Sequence, residues 1–297
     1  MSERSYSPRT VADAFGVSES SLKRWCDRGK LSIAKTAGGH RKIPRSAVLA
    51  FARDNRLPFA RPELLGLPDL TPPGPATPEE VRDEFLELLV AGREEHCRRL
   101  IVRQYLDGMS ISRIGDRIVA PAMQTIGHRW ACAEVDIYQE RFACEICTRL
   151  LHELRGMLMP PADDAPLAIG GTPSGDPYAL PTQLVELVLR EHGWKAISLG
   201  CNLPLDSIDQ AIRRMRPDLV WLSVSSVEDQ ADFRDSYRRL FANHGDRLPF
   251  VVGGRAMNES MRDSISYSVH CDRLEVLATF LKTFRPSPPL GTRVAAD

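Results

Sequence analysis

The chain has 297 residues, 43% hydrophobic and 26% charged, with 39 Lys and Arg balancing 39 Asp and Glu. That length exceeds one ordinary core and predicts two or three domains. The longest apolar runs fall short of the roughly eighteen residues of a membrane span, and seven scattered cysteines argue against a disulfide framework.

The first residues carry no apolar signal core, so the expected compartment is the cytoplasm, at the nucleoid, with no membrane partner. Residues 1–57 hold 12 Lys and Arg but 5 Asp and Glu, a net +7 that leaves −7 for the remainder. A small basic domain on an acidic body suits a polyanion. Within it, Pro8–Ala14 reads as a first helix and Phe15-Gly16-Val17 as a tight turn. Ser18 then caps a second helix over Glu19–Arg28. Val17, Leu22 and Trp25 share one face and should be buried, which turns Ser20, Ser21, Lys23, Arg24 and Arg28 outward. Hydroxyls and long cations on one exposed helix face suit base edges and phosphates in a major groove. Gly38-Gly39 between two short extended runs predicts a hairpin with Lys35, His40, Arg41 and Lys42 on or beside its tip. The plain alternative is a helical hairpin that binds protein. The stretch Gly16-Val17-Ser18-x-x-Ser21-Leu22-Lys23-Arg24-Trp25, followed by Lys35-Thr36-x-Gly38-Gly39-His40-Arg41-Lys42, resembles the MerR family of regulators. The resemblance implies a winged helix-turn-helix over residues 1–56 and a double-stranded DNA operator as partner.

Residues 57–77 hold six prolines and read as a semi-rigid linker. From Thr77, a cap followed by a first-turn proline, the pattern is helical: a first stretch with Leu86, Leu89 and Val90 on one face, then about 93–107, 111–128 with a break near Pro121, and 137–158. Four helices with short connections predict a four-helix bundle over 78–160. From 165 to 286 the period changes to short apolar runs alternating with amphipathic helices. That alternation predicts a doubly wound parallel α/β domain, Rossmann-like, with ligands at the carboxyl ends of its strands. The expected fold is therefore multidomain.

A bundle and a five-stranded α/β module behind a MerR-type reader is similar to the cobalamin-dependent light-responsive repressors of carotenoid genes. The resemblance implies a cobalamin-binding-type module under a bundle that caps the corrin. Its first signature is Asp-x-His-x-x-Gly, with the His on cobalt; here the stretch is Asp176-Pro177-Tyr178-Ala179-Leu180-Pro181. Its second is a Trp, nine residues, then Glu-His; here Trp130 is followed by Glu140-Arg141. Both histidines are replaced. Ser223, Ser225, Gly253 and Gly254 complete the expected effector pocket with Trp130, Glu140, Arg141, Asp176 and Tyr178. Because a neutral phenol is a poor substitute for imidazole, the expectation is a regulator, a repressor working without any cofactor or metal. In it the sensor half controls assembly as a homo-oligomer, dimer or tetramer, with or without a small-molecule effector. The alternatives are a photoreceptor-type protein holding a bilin or other tetrapyrrole, or cobalamin without histidine ligation. A corrinoid enzyme is the rival of a different class; nothing in the sequence supplies a nucleophile, an acid–base pair or a phosphate loop, so the chain is read as not an enzyme. Cys144 and Cys147 have metal-like spacing but no second pair, and Cys132 is more simply a buried thiol than an attachment site.

Overall fold

A computed structural model describes residues 3–35, 41–71 and 77–284, which fall into two units, Met1–Pro160 and Pro161–Asp297. The first unit begins with β1 (Ser5–Tyr6) and α1 (Pro8–Phe15), whose cap Ser7 accepts from Thr10 N. Gly16 ends α1 in the left-handed conformation at φ 69°, which a side chain would resist. Then come α2 (Glu19–Asp27), β2 (Ala34–Lys35), β3 (Arg41–Pro44) and α3 (Arg45–Asn55). β3 lies between β1 and β2, antiparallel to both. Phe15 packs against Trp25, Phe51 and Phe59, which gives this small domain an aromatic core.

Where it is described, the proline-rich segment expected as a semi-rigid linker is packed into the first unit. Pro62–Leu65 forms a 3-10 turn with Leu65 fully buried and Leu67 nearly so. Tyr6 Oη donates to Leu65 O, and the Arg98 guanidinium donates to Gly66 O. Apolar Leu65 and Leu67 have a core to join, and proline spacing does not reveal that.

Four helical stretches follow: α4 (Pro78–Val90), α5 (Glu94–Leu106), a third built of α6 (Ile111–Ile114) and α7 (Ala120–Ala131), and α8 (Ile137–Arg155). Thr77 and Glu80 form a reciprocal capping box at α4, and Asp136 with Gln139 does so at α8. The third stretch does not break at Pro121. It widens into a π turn over Gly115–Val119, and Pro121 then sits in the first turn of α7, where its missing N–H is tolerated.

The second unit alternates β4 (Leu167–Gly171), α9 (Ala179–Glu191), β5 (Lys195–Ser198), α10 (Leu205–Met215), β6 (Leu219–Ser223), α11 (Gln230–His244), β7 (Phe250–Gly253), α12 (Glu259–Asp263), β8 (Val269–Cys271) and α13 (Leu274–Thr283). The sheet is wholly parallel in the order β5-β4-β6-β7-β8. One face packs Ile169, Val220, Leu222, Phe250 and Val252 against α10 and α11 residues such as Ile208, Phe233 and Tyr237. The opposite face carries Gly170, Trp221 and Ser223 toward α9, which also packs against α13. Strand order reverses between β4 and β6, and such a switch point opens a crevice at the strand ends.

Candidate functional site

On α2, Ser18 Oγ accepts from Ser21 N at 3.2 Å and fixes the first turn. Leu22 and Cys26 are buried and Trp25 is half-buried against Phe51, so the opposite side of the helix is presented outward. Ser20, Lys23, Arg24 and Arg28 are exposed there, while Ser21 is half-buried and accepts from Arg24 Nη2 at 3.1 Å. Two cations are held by acids: Lys23 lies 2.9 Å from Glu19, and Arg41 Nη1 lies 2.8 Å from Asp27. The second pair ties β3 of the wing to the end of α2, so helix and wing share one orientation. Lys42 is half-buried on β3, Lys35 ends β2, and His40 lies outside the described residues.

At the carboxyl ends of the parallel strands, Asp176 is fully buried. Its carboxylate accepts from Ser225 N at 2.5 Å, Ser226 N at 3.2 Å and Tyr178 N at 3.0 Å. The loops after β4 and β6 are therefore joined through one side chain. Asp176 O accepts from Thr172 Oγ1 and Asn202 N, which adds the loop after β5. Tyr178 precedes α9 and is 40% exposed, with the Arg255 guanidinium 4.6 Å above its ring. Arg255 Nε in turn donates to Ser225 O at 2.9 Å. Asp176, Tyr178, Ser225 and Gly254 thus meet at one rim, with Ser223 buried beneath. Arg255, Asn202 and Thr172 escaped the sequence reading. Asn202, at φ 57° two residues after Gly200, was the one with a local signal. A Cβ on Gly253 would strike Cys271 O, and one on Gly254 would strike Val224 O, so both glycines are required by the protein's own backbone.

In the bundle, Trp130 near the end of α7 is 49% exposed, and Ile137, Tyr138 and Phe142 at the start of α8 are exposed as well. Glu140 lies largely covered beside the exposed Arg141, 3.4 Å away, and accepts a long contact from Cys144 Sγ at 3.7 Å. Burial, then the Glu140 charge, pushes the Cys144 thiol up to about 11, and burial drives Cys147 higher still. Thiols so hard to ionise are poor metal ligands. Among the described residues no group of three or more His, Cys, Asp or Glu could hold a metal ion. Cys132 is exposed rather than buried, 3.9 Å from His128 Nε2. No helix among the described residues is long and apolar enough to cross a membrane.

Three family models match: a helix-turn-helix domain over residues 5–56 and B12 binding domains over 81–155 and 166–274. The chain is similar to the HTH-type transcriptional repressor CarH of Myxococcus xanthus, 24% identical over 93% of this chain and 95% of that protein. It is 25% identical to the repressor CarA of the same organism over 86% of this chain and 88% of that one. Its fold matches a Methanosarcina barkeri monomethylamine corrinoid protein at a TM-score of 0.58 and 16% identity, over 70% of this chain and all of that one. A helix-turn-helix domain joined to B12-binding domains is the organisation of a regulator, and the relatives spanning nearly the whole chain are repressors, not enzymes.

These matches overturn the expectation of a chain without a cofactor. That expectation gave the two lost histidines more weight than the domain around them, whereas both the bundle and the sheet match B12-binding models. Within the sheet unit, the residues present fit a corrinoid held by shape and hydrogen bonding: an exposed phenol at the rim and loops knitted through Asp176. They do not fit one held by a histidine–cobalt bond. The loop from Thr172 to Tyr178 carries no imidazole, and the Asp176 carboxylate is engaged by three backbone amides.

Proposed function

We propose that this chain is a DNA-binding transcriptional repressor whose B12-type half takes a corrinoid as its effector. The outward face of α2 carries the reading: Ser20, Lys23, Arg24 and Arg28 stand in solvent on a capped, rigid helix tied to the wing through Arg41 and Asp27. That face, in a domain of net +7, suits the major groove, with Ser20 and Ser21 at base edges and Lys23, Arg24 and Arg28 at phosphates. Lys35, Arg41 and Lys42 of the wing would follow the flanking backbone, with His40 proposed beside them from its place in the sequence.

At the sheet, Asp176, Tyr178, Ser223, Ser225, Gly253 and Gly254 would hold the corrinoid; Trp130, Glu140 and Arg141 are a separate candidate surface on the bundle. A corrinoid bound at the sheet would supply a cobalt able to exchange a ligand. The protein's share is to sense that change: Tyr178, braced by Arg255, occupies the rim, and Arg255 reports to Ser225 O. A homo-oligomer, dimer or tetramer, assembled according to the bound state would then set DNA affinity.

Fluorescence anisotropy of a labelled duplex tests the first half, and size-exclusion chromatography with and without hydroxocobalamin tests the second. Binding to duplex should weaken steeply with salt, and the retained corrinoid should shift the elution volume. Absence of duplex binding even at low salt would sink the regulator reading, and a cobalt-free protein peak would sink the corrinoid half.

A further inference from the structure

On the sheet face toward α9, the strand ends are stripped of bulk: Gly170 on β4, then Ser223 on β6 beside Gly253 on β7. One large residue interrupts this trough. Trp221, the register partner of Gly170, is 1% exposed, and a Cβ on Gly170 would collide with its indole. Its Nε1 donates 2.9 Å to Oγ1 of Thr182 on α9, itself 1% exposed, and Thr182 Oγ1 lies 3.4 Å from Ser198 Oγ. The indole is thus a planar two-ring heteroaromatic seated between sheet and helix with its nitrogen satisfied.

A cobalamin carries its own planar two-ring heteroaromatic, a benzimidazole on a flexible nucleotide arm. That base has two resting places: on its own cobalt, or in a protein slot with a protein nitrogen replacing it on the metal. The second arrangement needs both a free slot and a donor. This chain offers neither, because Trp221 fills the trough over Gly170 and the loop from Thr172 to Tyr178 has no imidazole. We propose that Trp221 is a built-in occupant of the base's seat, so that this protein takes cobalamin with the benzimidazole still on cobalt and outside the sheet. The proposal rests on the corrinoid reading above and goes beyond it by fixing the form of the ligand that is accepted.

The test uses the full chain loaded with cobalamin whose benzimidazole is 15N-labelled, reduced to Co(II) and read by electron paramagnetic resonance. A doublet splitting from the labelled nitrogen is the expected result. A triplet from an unlabelled protein nitrogen, or no nitrogen splitting, overturns the proposal while leaving the corrinoid reading intact. Cobinamide, which lacks the base, should bind within about threefold of cobalamin, since an uninserted base gains little burial; a preference of tenfold or more for cobalamin argues for insertion. Retention of neither corrinoid defeats the reading and the proposal together. Trp221→Ala should vacate the seat, so that free 5,6-dimethylbenzimidazole raises the melting temperature of the variant and not of the wild type. Trp221→Leu, which keeps an apolar side chain in the sheet while clearing the ring volume of the indole, serves if the alanine variant does not fold. An equal shift in the wild type overturns the proposal.

Discussion

Arg24 stands exposed on α2 with its guanidinium on the neutral Ser21 Oγ, whereas Lys23 is 2.9 Å from Glu19. The two cations therefore differ in how much charge they offer to a duplex. Arg24→Ala should weaken binding to operator and random DNA alike by roughly tenfold and lower the salt slope by about one. Glu19→Gln should act the other way, because it frees Lys23 and removes a charge that repels phosphate; anisotropy titrations at two salt concentrations read both. Unchanged affinity in Arg24→Ala would turn α2 away from the duplex. Thiols divide by the same kind of local reasoning. Burial lifts Cys97 to about 12, and burial with Glu140 lifts Cys144 to about 11, while Cys132 is exposed. Only the thiolate attacks an alkylating reagent. Iodoacetamide at neutral pH should thus modify Cys132 well before Cys97, Cys144 or Cys147, as peptide mass spectrometry would record; early labelling of Cys144 would contradict its burial.

The second helix depends on its cap, because the first N–H groups of any helix have no partner within it. Ser18 Oγ meets that need at Ser21 N, so Ser18→Ala should cost about 1 kcal/mol and Ser18→Asp much less. Thermal unfolding compares the two, and duplex affinity should fall in both, in the alanine variant through a loosened helix start and in the aspartate variant through an added charge that repels phosphate. Such caps made the helices legible in the sequence. Ser18, Thr77 and the proline after it mark helix starts, and the apolar runs at β4, β6 and β7 read as buried strands. What escaped depends on pairing across the fold. The five-residue α12 has too short a pattern to register, and the π turn at Gly115–Val119 lies one turn ahead of the proline that drew attention. Trp221 reads as any core residue until register sets it against Gly170. Asp176 stood out by resemblance, but its capture by Ser225 N and Ser226 N joins residues about fifty positions apart, a link that no local pattern encodes.

Across the N-terminal unit, the DNA-binding domain and the bundle are fastened together by a small set of charged contacts. Glu153 on α8 takes Arg98 of α5 through two bonds of 2.7 and 2.8 Å, and Arg45 at the start of α3 lies 3.9 Å away. Arg98 also reaches Gly66 O on the connecting segment. Glu153 and Arg98 are each largely covered, 19% and 25% exposed, so the pair is screened less than a surface bridge, and its loss leaves Arg98 with only the more exposed Glu95 as an acidic partner. Arg53 of α3 adds a second fastening, 4.2 Å above the Tyr105 ring of α5. The link therefore works as a rigid joint, so that a rearrangement felt by α8 moves the wing with it. Glu153→Ala should destabilise this unit by about 2 kcal/mol, a fall of roughly 4–8 °C in melting temperature. It should also speed proteolysis between residues 56 and 78 while leaving the face of α2 unchanged. The informative reading is duplex affinity with and without bound corrinoid. In the wild type the two values should differ, and in Glu153→Ala they should converge because the DNA-binding domain no longer follows the bundle. A variant that loses stability but keeps the full difference would mean that the signal reaches DNA by assembly alone, without passing through this joint.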